Sequence, residues 1–160
     1  MAFYNKPFRR SPRLRGFDYV GNLVAHVTLV TIGRKPLLQD AELATICLQV
    51  LEEARLQHKV VIHAYCLMPD HAHLLIEIPE TTSLQKFVRQ FKQLSGFRLK
   101  QRTGNPAWQI SYYDRVLRKE EEIAAVAEYI WHNPVKEGLA EDPLAYPWSG
   151  PRAWMEDQRG

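Results

Sequence analysis

The sequence predicts an α+β fold, an antiparallel sheet with its first two helices packed on one face and the other face left for a site. Three observations carry that expectation. The apolar patterns run in the order strand, helix, strand, strand, helix, strand, helix. From His71 to Ile78 the side chains alternate, His71, His73, Leu75 and Glu77 against Ala72, Leu74, Ile76 and Ile78, which is the period of a half-buried strand. Between that run and the apolar run before it stands only Met68-Pro69-Asp70, a tight connection that makes a hairpin in the middle of the sheet.

Leu23 to Ile32 is rich in β-branched residues and reads as the first strand, with a turn at Gly33 to Pro36. Gln39 to Gln57 reads as an amphipathic helix that turns Leu43, Ile46, Cys47, Val50, Leu51 and Ala54 inward. Lys59 to Leu67 is the second strand, and the His71 run is the third. Ser83 caps a second helix that reaches about Leu99, and Phe87 and Phe91, four apart, anchor it to the sheet. Gly104-Asn105-Pro106 breaks the chain before a short strand near Trp108 to Tyr113. Lys119 to Asn133 is the third helix: Glu120, Glu121 and Glu122 suit the positive end of its dipole, and Ile123, Val126, Ala127 and Ile130 recur at helical spacing. Pro134 disfavours helix at Asn133 and is expected to end it there. This order fits a ferredoxin-like sandwich. The organisation expected is a basic arm over residues 1–18, a domain over 19–136 and an irregular, wrapped tail over 137–160 that carries Pro143, Pro147, Pro151, Trp148 and Trp154.

With 160 residues and 46% apolar content, the chain has the length for one domain with a proper core. No apolar run approaches the roughly 20 residues that cross a bilayer, and the Arg-rich start lacks the apolar region of a signal peptide, so a cytoplasmic protein is expected. Cys47 and Cys66 lie within apolar patterns, lack metal-like spacing and read as buried free thiols. The net charge of +3 hides an asymmetry. Lys6, Arg9, Arg10, Arg13 and Arg15 precede any acidic residue, and eight basic residues between Leu84 and Arg118 face only Asp114. Residues 119–142 reverse the balance, with seven acidic and two basic. A basic arm with a basic helix and loop is a footprint for backbone phosphates, and an ordinary solvated face is the plainer alternative.

Two places carry chemistry. Side chains two apart on a strand share a face, with Cα atoms roughly 6.6 Å apart, so His71 and His73 can turn toward one ion. Glu77 shares that face but lies about 13 Å beyond His73, so a third ligand must come from elsewhere. Two solvent-facing histidines are the plain alternative. In the last helix Tyr129 and Asn133 are one turn apart on the same side, at the flank of the apolar stripe. Taken alone they read equally as a core-edge aromatic and a helix-end cap.

The ordered text His63-Ala64-Tyr65, Leu67-Met68-Pro69-Asp70-His71-Ala72-His73-Leu74-Leu75, Trp108-Gln109, Tyr112-Tyr113-Asp114, Arg118, Tyr129-Ile130, Asn133-Pro134-Val135-Lys136 and Tyr146-Pro147-Trp148-Ser149 spans most of the chain. In that order it resembles the REP-associated tyrosine transposases, single-tyrosine members of the HUH endonuclease superfamily. The resemblance implies that His71 and His73 are metal ligands, Asn133 the third protein ligand and Tyr129 the nucleophile. Two departures stand out. Ala72 replaces the usual bulky hydrophobe and, facing the core, should affect packing more than chemistry; related single-tyrosine transposases commonly place Gln where this chain has Asn133. The implied activity is metal-dependent cleavage and strand transfer of single-stranded DNA near palindromic hairpins through a 5′-phosphotyrosine, with Mg²⁺ or Mn²⁺ as cofactor. The implied partner is single-stranded or hairpin DNA, on the nucleoid and with no membrane involved. A monomer is expected, with a dimer that swaps tyrosine helices as the alternative. Arg9, Arg10 and Arg13 are expected to help read a single-stranded tag beside the stem, and Lys92, Arg115 and Arg118 to contact DNA. A domesticated hairpin-binding protein without strand transfer, or a small α+β protein with an adventitious metal site, are the competing readings.

Overall fold

The strands are β1 (Leu23–Val30), β2 (Val61–Met68), β3 (His71–Ile78), β4 (Tyr113–Leu117) and β5 (Ser149–Gly150). In the computed structural model, which describes residues 22–118 and 120–157, they form one sheet in the order β4-β1-β3-β2-β5. Every pairing is antiparallel. The expected ferredoxin-like arrangement is therefore present, with β1 and β3 as its central pair. Their register sets Thr28 opposite His73 and His26 opposite Leu75.

Helix α1 (Ala41–His58) starts where Asp40 accepts hydrogen bonds from the amides of Glu42 and Leu43, satisfying donors that a helix start leaves open. Helix α2 (Leu84–Thr103) starts at Ser83, whose hydroxyl accepts from the Lys86 amide. It runs a turn beyond Leu99 because Gly104, at φ 77°, takes the left-handed conformation that closes it. Both helices lie on one face and enclose the larger core, where Phe87, Phe91 and Leu99 meet Val27, Leu29, Leu74 and Ile76. Cys47 and Cys66 are buried and free, and burial pushes both thiols up to about 12.

Three expectations need correction. The fourth strand is Tyr113–Leu117, later than the stretch from Trp108 to Tyr113. Trp108 makes a single bridge to Thr31, and its indole turns into the core to donate to Ser95 Oγ at 2.9 Å, so this stretch crosses the end of β1 before pairing begins. Helix α3 (Glu120–Lys136) passes through Pro134 instead of ending before it. A proline so near the end removes one amide donor from the ladder, and the buried Ile130, Trp131 and Pro134 hold the turn in place. The Glu137 amide still reaches the Asn133 carbonyl at 3.0 Å, so Asn133 has helical surroundings and is not a free helix-end cap.

The third correction concerns the tail. Helix α3 lies on the face left for the site, burying Ile130 and Trp131 against Val24, Leu75 and Leu117 in a second, smaller core. Between α3 and Asp157 the chain carries regular elements: β5 extends the sheet along β2, and α4 (Arg152–Asp157) follows and adds Met155 to the second core. Trp131 Nε1 donates to the Gly150 carbonyl at 2.9 Å, and Tyr146 Oη donates to the Leu67 carbonyl at 2.6 Å. A Cβ at Gly150 would meet the Tyr65 ring at 2.5 to 2.7 Å, so only glycine fits this edge. Tyr146→Phe keeps the ring and deletes a buried hydrogen bond. It should cost about 1 kcal/mol and lower the melting temperature by about 2 to 4 °C in thermal denaturation; an unchanged Tm would mean that the tail bears no weight.

Candidate active site

The alternation of β3 sends Ala72 to the larger core and His71 and His73 to the α3 side. His73 is fully buried and His71 partly so. Their Nε2 atoms lie 3.1 Å apart, with the rings perpendicular at 89°. The Asn133 side-chain amide stands 2.8 Å from His73 Nε2. One turn earlier on α3, the half-buried Tyr129 ring meets His73 edge-on, with centroids 6.3 Å apart. Residues sixty positions apart in sequence thus share one corner of the sheet.

The remaining nitrogens face inward partners. His71 Nδ1 is 2.7 Å from Asp70 Oδ1, and the other oxygen of Asp70 is 3.4 Å from Arg34 Nη1. His73 Nδ1 lies 3.1 Å from His26 Nε2 and 3.3 Å from Thr28 Oγ1, both side chains being buried on β1. Burial in apolar surroundings, and then the neighbouring imidazoles, hold His73 well below the ordinary histidine range. Burial first and the Arg115 guanidinium second bring His26 down to about 4. Both are neutral imidazoles at physiological pH.

This donor set fits a divalent cation. With its Nδ1–H donating to the Asp70 carboxylate, His71 would present a lone pair at Nε2, 3.1 Å from His73 Nε2. Two lone pairs 3.1 Å apart repel unless a proton or a cation lies between them. With metal–nitrogen bonds of about 2.1 Å, two ligands at right angles stand about 3 Å apart, close to the spacing seen. The Asn133 amide can present its oxygen to the same point by a half-turn. Among the described residues no group of three His, Cys, Asp or Glu that could hold an ion is found, and the Asn133 amide is the further donor beside the pair.

The basic residues divide. Tyr113, Arg115 and Leu117 of β4 lie on the α3 side, since Leu117 opposite Val24 belongs to that core and Arg115 stands opposite His26. Arg115 forms a 3.7 Å ion pair with Glu122, and the exposed Arg118 follows β4 directly. Lys92 is not brought to this side. It lies on α2, where its ammonium donates to the Gln109 and Ile110 carbonyls at 2.7 Å each and fastens the segment before β4. Arg9, Arg10 and Arg13 lie outside the described residues, and no helix among the described residues is long and apolar enough to cross a membrane.

His26, Thr28 and Asp70 are the site residues that the sequence reading missed. A signal existed for two of them. Val24, His26 and Thr28 alternate with Ala25, Val27 and Leu29, so β1 carries polar side chains on the same face as the histidines of β3.

A ferredoxin-like sheet with His-x-His on its third strand and a tyrosine of α3 beside it has the make-up of a single-tyrosine transposase. The chain belongs to the IS200-like transposase family, whose family model, "Transposase IS200 like", matches residues 19–133. It is 29% identical over 99 residues to a protein of Haemophilus influenzae provisionally named a REP-associated tyrosine transposase, covering 54% of this chain. It is 24% identical over 118 residues to the REP-associated tyrosine transposase of Escherichia coli K12, covering 68% of this chain. The matches span 56% and 67% of those relatives, so the chain aligns with little more than half of the first. Among solved structures, a REP-associated tyrosine transposase bound to a REP hairpin shares the fold, with a TM-score of 0.70 and 20% identity over 90% of this chain and 81% of that one. A provisionally named transposase of Deinococcus radiodurans R1 gives a TM-score of 0.55 and 27% identity over 72% of this chain and 94% of that one.

Proposed function

We propose that this protein cleaves and rejoins single-stranded DNA beside a palindromic hairpin, with Tyr129 as nucleophile and a divalent ion held by His71, His73 and Asn133. The observation that carries the reading is the convergence of His71 Nε2, His73 Nε2 and the Asn133 amide beside a tyrosine one helical turn away. When bound, Mg²⁺ or Mn²⁺ would polarise the scissile phosphate and offset charge that develops on its oxygens. Tyr129 Oη attacks the phosphorus, forming a 5′-phosphotyrosine as the bond to the 3′-oxygen breaks. The phenol loses its proton and the departing 3′-oxygen gains one. Because the phosphoester bond is stored on the protein, a 3′-hydroxyl can later reverse the step without ATP.

The remaining residues serve binding. Arg115 and Arg118, on the side of the sheet that carries the histidines, suit the phosphates of the incoming strand, and Arg9, Arg10 and Arg13 suit the single-stranded tag. The proximity of Tyr129 to the histidines of its own chain supports a monomer that acts in cis. Such a protein would work in the cytoplasm, on the nucleoid.

The test is to incubate purified protein and Mn²⁺ or Mg²⁺ with an end-labelled single-stranded hairpin from its genomic neighbourhood, and to read a denaturing gel. A covalent adduct that chelator abolishes is the expected result. Tight hairpin binding with no adduct under either ion would favour the domesticated binding protein.

A further inference from the structure

We propose that His26 and Thr28 are positioning residues for His73, fixing the tautomer that leaves its Nε2 free for the cation; this role rests on the metal reading above. A neutral imidazole carries one N–H, and only the other nitrogen can give a lone pair to an ion. For His73 to bind through Nε2, its proton must sit on Nδ1 and must be accepted there. His26 Nε2 at 3.1 Å and Thr28 Oγ1 at 3.3 Å are acceptors in reach, and β1 holds both, with Thr28 directly opposite His73.

The two ligand histidines thus have different supports. His71, partly exposed, has the Asp70 carboxylate at 2.7 Å. His73 is fully buried, where a carboxylate in place of His26 would bring an expensive unsolvated charge, while a neutral imidazole and a hydroxyl accept the same proton at lower cost. The buried pair also fixes the ring plane, since two acceptors beside one Nδ1 restrict its rotation.

Calorimetry with Mn²⁺, alongside the electron paramagnetic resonance signal of free Mn²⁺, tests this without any DNA. His26→Leu, similar in volume but with no acceptor, should bind Mn²⁺ about 10- to 100-fold more weakly than wild type. His26→Gln, whose Oε1 stands about where Nε2 stood, should remain within about threefold. Equal affinity in wild type and His26→Leu, or an equal loss in both variants, overturns the positioning role and leaves the metal reading standing. A wild-type protein that binds no Mn²⁺ overturns the metal reading instead. Should His26→Leu fail to fold, nitrogen resonances of the Mg²⁺-loaded wild type decide the matter: a His73 protonated at Nδ1 supports the role, and one protonated at Nε2 overturns it.

Discussion

Tyr129→Phe is expected to remove the covalent DNA adduct entirely, a fall on the order of 10⁴-fold or more, while hairpin affinity changes little. The substitution deletes one oxygen. The phenyl ring would still meet His73 edge-on and fill the same half-buried place on α3, so the helix and the second core should persist. Stability should stay within about 1 kcal/mol of wild type, because the deleted hydroxyl belongs to a side chain that solvent reaches in part. Denaturing gels measure the adduct and filter binding measures the affinity. If adduct persists at a tenth of the wild-type yield or more, another residue is the nucleophile.

His73→Ala should lose Mn²⁺ binding and reduce adduct formation by at least about 10³-fold, since a cation that polarises the phosphate is worth several kcal/mol. A structural cost comes with it. His73 is fully buried, and its removal leaves a cavity and strips a hydrogen-bonding neighbour from His26, Thr28 and Asn133. Each buried polar group left unpaired costs about 1 to 3 kcal/mol, so this variant is the less stable of the two histidine variants. His71→Ala separates the causes. That side chain is partly exposed and supported by Asp70 on the turn, so its loss should cost little stability and yet abolish Mn²⁺ binding and the adduct alike. Adduct yields within tenfold of wild type in both variants would remove the metal from the reaction.

The parts of the fold written in periodicity were legible in the sequence. β3 announced itself through strict alternation, and the same alternation correctly separated the face of His71 and His73 from the core face of Ala72. α1 and α2 followed from apolar spacing, and α2 also from Ser83 at its start, though the reading began α1 at Gln39, two residues before Ala41, because the cap at Asp40 was not used. The misreadings have a common cause, tertiary contact overriding a local rule. Pro134 is a helix stop by its own chemistry, and burial of its flank against the sheet kept the helix going. Trp108 to Tyr113 looked like a strand by composition, but the indole was drawn to Ser95 and the Gln109 and Ile110 carbonyls to Lys92. The tail held too many prolines to suggest an extra strand, and β5 pairs through only two residues. At the site, the histidines and the helix side chains came from motif and spacing. His26 and Thr28 did not, because β1 was read for its hydrophobes and not for what stood between them.

The Trp131–Gly150 hydrogen bond gives the last part of the chain a stake in the proposed reaction. Trp131 sits two residues after Tyr129 on α3, and its indole is tied to the strand that the C-terminal segment adds at the far edge of the sheet. The proposed nucleophile is thus held from in front by the histidine strand and from behind by residues translated after it. The placement of that tyrosine would then depend on the tail as much as on the proposed ligands. Lesions beyond residue 140 would be felt as lost precision at a distance, in a protein whose histidines and tyrosine were untouched.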